Sequence, residues 1–166
     1  MNYVTLGKTG LKAAVVSFGG IPIQRADGAN TKAVVDKLEE YGINYIDTAR
    51  GYTVSEEYLG AALEGRRDKF ILATKSMSRD AASMAADVET SLRNLRTGYI
   101  DLYQLHNLPE KDIEKVFGPG GAYEDGAFGP EQILCSESNL YPILVAHKRD
   151  FYDKNRDYRR GSLFTD

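Results

Sequence analysis

The stretch Gly42-Ile43-Asn44-Tyr45-Ile46-Asp47-Thr48-Ala49-Arg50-Gly51-Tyr52 decides the reading of this chain. Gly42 stops a helical pattern, Ile43 to Ile46 form a short strand-type run, and Asp47 closes that run with a carboxylate. Tyr52 follows in the loop. The same sequence of events, an apolar run ending on a polar residue and then a helical pattern, recurs on both sides.

Upstream, Val15 to Phe18 is an apolar run closed by Gly19-Gly20, and Thr31 to Tyr41 reads as a helix with Val34, Val35, Leu38 and Tyr41 on one face. Downstream, Glu56 to Glu64 reads as helix, with Thr53 and Glu56 spaced as a capping box. Phe70 to Ala73 leads to Lys75, the next helix carries Met84, Val88, Leu92 and Leu95 on one stripe, and Tyr99 to Leu105 runs into His106. Ahead of these units, Tyr3–Leu6 and Leu11–Ala14 alternate as two strands joined through Gly7-Lys8-Thr9-Gly10. That Gly-Lys-Thr string is read as a turn, because a phosphate loop needs glycine where Asn2 stands. Repeated βα units with nearly continuous apolar strands predict an α/β fold with a parallel sheet covered by helices.

In such a fold Asp47, Lys75 and His106 lie at C-terminal strand ends and Tyr52 in the loop after one, the edge where these sheets and barrels place their chemistry. Taken singly, Asp47 and His106 also read as strand-end caps, Lys75 as a surface charge and Tyr52 as loop packing. Convergence at one edge favours a site. A phenol can protonate a carbonyl oxygen if nearby positive charge stabilises the phenolate; Lys75 would supply that charge, and Asp47 would keep the ammonium in place despite burial. His106 would either orient the carbonyl or share the proton.

The Gly42–Tyr52 string, followed by Ser55-Glu56-Glu57 and Leu59-Gly60, resembles the signature of the aldo-keto reductases around their aspartate and tyrosine. Ala73-Thr74-Lys75 and Asp101-Leu102-Tyr103-Gln104-Leu105-His106 resemble the segments that carry the family's lysine and histidine. Tyr3 to Leu11, Phe18 to Pro22 and Leu92 to Leu95 fit as well, so the resemblance covers about three quarters of the chain. It is strongest to bacterial members that often append an iron-sulfur domain, a cofactor not carried over because the chain has no cysteine cluster. The resemblance implies a parallel TIM-type (βα)₈ barrel and NADPH-dependent reduction of aldehydes or ketones, with a small-molecule carbonyl as partner. It makes Tyr52 the general acid, Asp47 and Lys75 its tuning pair and His106 the residue that positions the carbonyl. Gly20, Ile21 and Asp47 match positions beside the nicotinamide end of the cofactor.

A full barrel takes about 250 residues, and this chain of 166 supplies four clear units after the hairpin. The expectation is therefore an incomplete barrel over residues 1–126 and a divergent, solvated or poorly ordered tail over 127–166. Gly118-Pro119-Gly120-Gly121, Gly126 and Gly129-Pro130 punctuate the boundary. Ser138-Asn139 and Arg159-Arg160 resemble pieces of the family's dinucleotide grip, but their surroundings lack its strand and helix pattern. Open strand edges predict self-association. Three readings stay open: a shortened reductase active only in its complete form, a half-barrel binding or oligomerisation module without catalysis, and a compact enzyme whose tail replaces part of the cofactor site.

Composition bounds the rest. With 42% hydrophobic and 27% charged residues and a net charge of −3, the chain reads as a soluble globular protein without the basic excess of a nucleic-acid or acidic-membrane binder. Cys135 is the single cysteine, which excludes an intrachain disulfide and fits a reducing, cytoplasmic setting. Neither a signal-peptide pattern nor a membrane-spanning apolar run is present.

Overall fold

A computed structural model describes residues 1–7 and 9–122 together with the backbone of 133–135 and 142–144. The chain opens with an antiparallel hairpin, β1 (Tyr3–Thr5) and β2 (Lys12–Ala14), paired Tyr3 to Ala14 and Thr5 to Lys12. The βα units follow: β3 (Phe18–Gly19), α1 (Gly28–Glu40), β4 (Tyr45–Asp47), α2 (Ser55–Ala62), β5 (Ile71–Ser76), α3 (Ala81–Asn94) and β6 (Leu102–Leu105). A short α4 (Ile113–Phe117) comes next, and β7 (Ile133–Cys135) pairs antiparallel with β8 (Pro142–Leu144). The expected boundary near Gly126, Ser138-Asn139 and Arg159-Arg160 lie outside the described residues.

Strands β3, β4, β5 and β6 form one parallel sheet in sequence order. This is the incomplete TIM-type barrel that the sequence predicts. Strand β5 is buried along its whole length. Its even and odd residues serve two cores, as a period of two requires. On the helix side Leu72 joins Val35, Leu38, Ile46, Leu59, Leu63, Met84, Val88, Leu95 and Tyr103. On the inner side Ile71 and Ala73 pack with Ala13 and Leu102, so the hairpin covers that face at the N-terminal end of the strands. Asn44 fixes the hairpin there: its side chain accepts from the Ala14 N–H (2.8 Å) and donates to the Lys12 carbonyl (2.9 Å).

Helix α1 begins at Asp27, whose carboxylate accepts the Asn30 N–H at 2.7 Å, and it ends before Gly42, which takes the left-handed conformation at φ 69°. The sequence periodicity places that helix three residues late because it does not register the Asp27 cap. Two other expectations change. Val15 and Val16 are exposed and belong to the link between β2 and β3, so only Phe18–Gly19 is strand. Helix α2 starts at Ser55 with no side-chain cap, and Thr53 and Glu56 form no capping box, because the Glu56 carboxylate is turned inward to other partners.

Register between β5 and β6 is set at the end away from the site. The Asp101 carboxylate accepts the Leu72 N–H at 2.9 Å and a 2.6 Å bond from Arg67, whose guanidinium also lies 4.0 Å from the centre of the Tyr99 ring. Helices α2 and α3 touch through Gly60, where a Cβ would stand 2.3 Å from the Asn94 carbonyl oxygen and 2.8 Å from the Leu95 Cα. Gly60→Ala should therefore force the helices apart and cost about 1–3 kcal/mol of stability. A lower urea midpoint at unchanged slope would be the signature.

Candidate active site

The sheet delivers its polar residues to one edge. Gly19 lies opposite Asp47 in the β3–β4 register, Asp47 opposite Ala73 in β4–β5, and Lys75 opposite Gln104 in β5–β6, with His106 just beyond. Lys75 is only 8% exposed. Its ammonium donates to the Asp47 carboxylate and, at 2.8 Å, to the Thr48 carbonyl, so a buried cation is both paired and hydrogen-bonded. The other Asp47 oxygen accepts from the Gln104 amide at 3.2 Å. Lys75 Nζ stands 5.3 Å from the centre of the Tyr52 ring, and Tyr52 meets His106 edge to face with centroids 5.6 Å apart. Asp47, Tyr52, Lys75 and His106 thus come together as the sequence suggests.

Electrostatics adds detail that spacing does not carry. Burial, then the Asp47 charge, pushes the Tyr52 phenol up, so Tyr52 holds its proton at neutral pH even with Lys75 nearby. Burial, then the Lys75 charge, with a further contribution from Arg79, holds His106 below the usual imidazole range against the opposing pull of Asp47. Its Nδ1 is buried and unpartnered among the described residues. Arg79 braces the strand end by donating to the carbonyls of His106 (2.7 Å) and Asn107 (3.0 Å).

Gly20 and Ile21 sit at the same edge. The Gly20 N–H donates to the Asp47 carbonyl at 2.6 Å, and its carbonyl accepts from the buried Ser55 hydroxyl at 2.9 Å. Ser55 also bonds Thr48 Oγ1 at 2.9 Å. A Cβ on Gly20 would lie 3.1 Å from both the Asp47 carbonyl oxygen and Ser55 Oγ. Ile21 is 53% exposed at this edge, and Asp47 keeps a third of its side chain exposed.

Behind the site lies a buried polar cluster that the sequence reading misses. Glu56, 1% exposed, accepts from Thr74 Oγ1 (2.8 Å) and Ser91 Oγ (2.7 Å) on one oxygen, and from Arg50 Nη1 (2.8 Å) and Asn94 Nδ2 (3.3 Å) on the other. Arg50 also faces Asp87 at 3.6 Å, and Asp87 accepts from the hydroxyls of Ser76 and Ser78. A signal was available: Glu56 falls on the same helical stripe as Leu59, Gly60 and Leu63, a position for a buried residue.

The model of the aldo/keto reductase family matches residues 16–125. The chain belongs to the aldo-keto reductase family. It is 36% identical over 125 residues to the aldo-keto reductase YhdN of Bacillus subtilis, an alignment that covers 64% of this chain and 38% of that protein. It is 32% identical over 126 residues to the L-galactose dehydrogenase of Arabidopsis thaliana, covering 67% and 40%. Among solved structures it is similar to the holo form of the aldo-keto reductase AKR11C1 from Bacillus halodurans, at 36% identity and a TM-score of 0.64 over 70% of this chain and 44% of that one. This aldo-keto reductase chain therefore spans less than half the length of those relatives. Residues 116–166 match a second model, the catalytic domain of microbial-type PARG. The family generally uses NAD(P)H. Among the described residues, no helix is long and apolar enough to cross a membrane.

The depressed His106 value has a consequence for stability. As pH falls below about 6.5 the unfolded chain takes up the imidazole proton before the folded one does, so stability present above that pH is lost on the way down. Urea midpoints should fall between about pH 6.5 and 5, above the range where ordinary carboxylates titrate. His106→Asn should flatten that slope.

Proposed function

We propose that this chain carries the proton-donor half of an aldo-keto reductase site, acting on an aldehyde or ketone with NADPH. The observation that carries the reading is the placement of Tyr52 between the Lys75–Asp47 pair and His106 at one strand-end edge. Protonated Tyr52 gives its proton to the carbonyl oxygen, and the charge left on the phenolate faces the Lys75 ammonium. Asp47 and the Thr48 carbonyl keep that ammonium in position by accepting two separate bonds from it. Neutral His106 has Nδ1 buried without a partner among the described residues; in the tautomer that carries the proton on Nε2, that nitrogen would donate to the carbonyl and orient it. A reduced nicotinamide held beside Gly20, Ile21 and Asp47 would supply the hydride for the carbonyl carbon; the oxygen would keep the Tyr52 proton, and water would reprotonate the phenolate.

Gly20, Ile21 and Asp47 suit the nicotinamide end. Gly20 is packed closely against Ser55 and the Asp47 carbonyl, so a side chain there would need its neighbours to give by a few tenths of an ångström, and Ile21, next in the chain, offers an open apolar surface. We place the grip on the rest of the dinucleotide in the part of the barrel beyond the four units, so the full activity belongs to a form that carries that part. A reducing cytoplasmic setting suits the lone Cys135. A second reading, a half-barrel that assembles without catalysis, is favoured by β3 being an edge of the described sheet. It expects a dimer or larger species in light scattering.

NADPH titration of the folded 166-residue protein, followed by cofactor fluorescence, tests whether the chain can act by itself. Saturable binding supports the reductase reading for this chain alone, and a folded sample that binds none confines that reading to a longer form. In a form that turns over, Tyr52→Phe should reduce the rate by about 10²–10⁴ and leave cofactor affinity unchanged. Full activity in that variant would remove Tyr52 as the acid.

A further inference from the structure

We propose that Arg50, locked onto the buried Glu56, is the positioning residue that sets the Tyr52 ring against Lys75 and His106. The proposal rests on the reductase reading for its purpose, but its geometry is independent of that reading.

Tyr52 occupies a loop of two short turns, in which its N–H donates to the Ala49 carbonyl at 3.0 Å and its carbonyl accepts from the Ser55 N–H at 2.8 Å; these bonds fix its backbone but leave the direction of the ring to side-chain contacts. The loop leaves β4 at Thr48 and enters α2 at Ser55, and Gly51 and Thr53 lie within it. Thr53 has φ 42°, a left-handed conformation that a β-branched residue adopts only under constraint. That constraint comes from both sides of the tyrosine. On the N-terminal side the Thr48 N–H bonds the Ala73 carbonyl at 2.8 Å and the Arg50 N–H bonds the Lys75 carbonyl at 2.9 Å, extending the β4–β5 ladder past the strand. On the C-terminal side Ser55 is bonded to Thr48 and Gly20, and Glu56 to Thr74, Ser91 and Asn94.

Arg50 joins the two sides. Its backbone is held by Lys75, and its guanidinium crosses the loop to Glu56, with Asp87 on the far side. The chain from Arg50 to Glu56 is thereby closed by a side-chain bond around Tyr52. Thr74 completes the logic. It is the neighbour of Lys75 in β5, and its side chain points to Glu56 while that of Lys75 points to Asp47. One carboxylate therefore references the loop and the lysine strand to each other. The Glu56 side chain is hydrogen-bonded on both oxygens, and removing Arg50 leaves Oε2 with only the longer Asn94 bond, so the loop loses its brace while the strand and helix contacts persist.

The test uses the chain labelled with 3-fluorotyrosine and read by ¹⁹F NMR, with the Tyr52 resonance assigned by its loss in Tyr52→Phe. No cofactor is needed, so the outcome is separate from the fate of the reductase reading. In Arg50→Met the Tyr52 resonance should shift and its alkaline midpoint should fall, because burial and Asp47 no longer act on a fixed ring. The resonance of partly buried Tyr45, whose charged and hydrogen-bonding neighbours are Asp47 and Gln104, should stay in place. Arg50→Lys, which keeps the charge and loses the planar fork, should restore the parent values in part. If the Met variant does not fold, the Lys variant should show the Tyr52 displacement in smaller form. The proposal is overturned if the Tyr52 resonance and midpoint remain at parent values in a folded Arg50 variant while only the urea midpoint falls, since Arg50 would then stabilise the fold without placing the ring.

Discussion

A lysine ammonium inside a protein is tolerated only when the groups around it replace the water it has lost. Lys75 meets that condition through the Asp47 carboxylate and the Thr48 carbonyl, both delivered by the end of β4. Much of the site follows from this arrangement. It requires β4 and β5 to be neighbours in a parallel sheet, it fixes the chain just after Asp47, and it leaves a protected positive charge beside the Tyr52 ring. The sheet order and the βα connections supply that neighbourhood.

Two polar layers sit on opposite faces of β5. The inner one contains Lys75, Asp47 and Gln104, and the outer one Thr74, Ser76, Glu56, Asp87 and Ser91. Adjacent residues of one strand thus connect a reactive edge to a supporting cluster. The inner groups keep some access to solvent, whereas Glu56 is enclosed and saturated with donors. Chemistry needs groups that can exchange protons, and support needs groups that cannot move.

The parallel sheet, the helix stripes, the three polar residues at the strand ends and Tyr52 in the loop after one of them were legible because they depend on periodicity and on where apolar runs stop. Met84, Val88 and Leu92 are buried on one face of α3 as their spacing implies. The start of α2 was less legible, because Thr53 and Glu56 satisfy a local capping pattern that loses to long-range bonds from Thr74, Ser91 and Asn94. No local rule encodes partners 18 to 38 positions away. The direction of the Tyr52 shift was hidden for a similar reason. Spacing brings Lys75 near the phenol, but it does not say that Asp47 and burial act in the opposite sense.

The carboxylate of Asp101 gives the sheet an index mark. By accepting the Leu72 N–H it fixes how far β6 is advanced along β5, and a slip of two residues would carry His106 about 7 Å from its place. The meeting of Tyr52 and His106 at one end of the sheet is therefore gauged from the other end, by a residue that takes no part in the chemistry. Substitutions on the floor of the barrel can detune the site without touching any group in it.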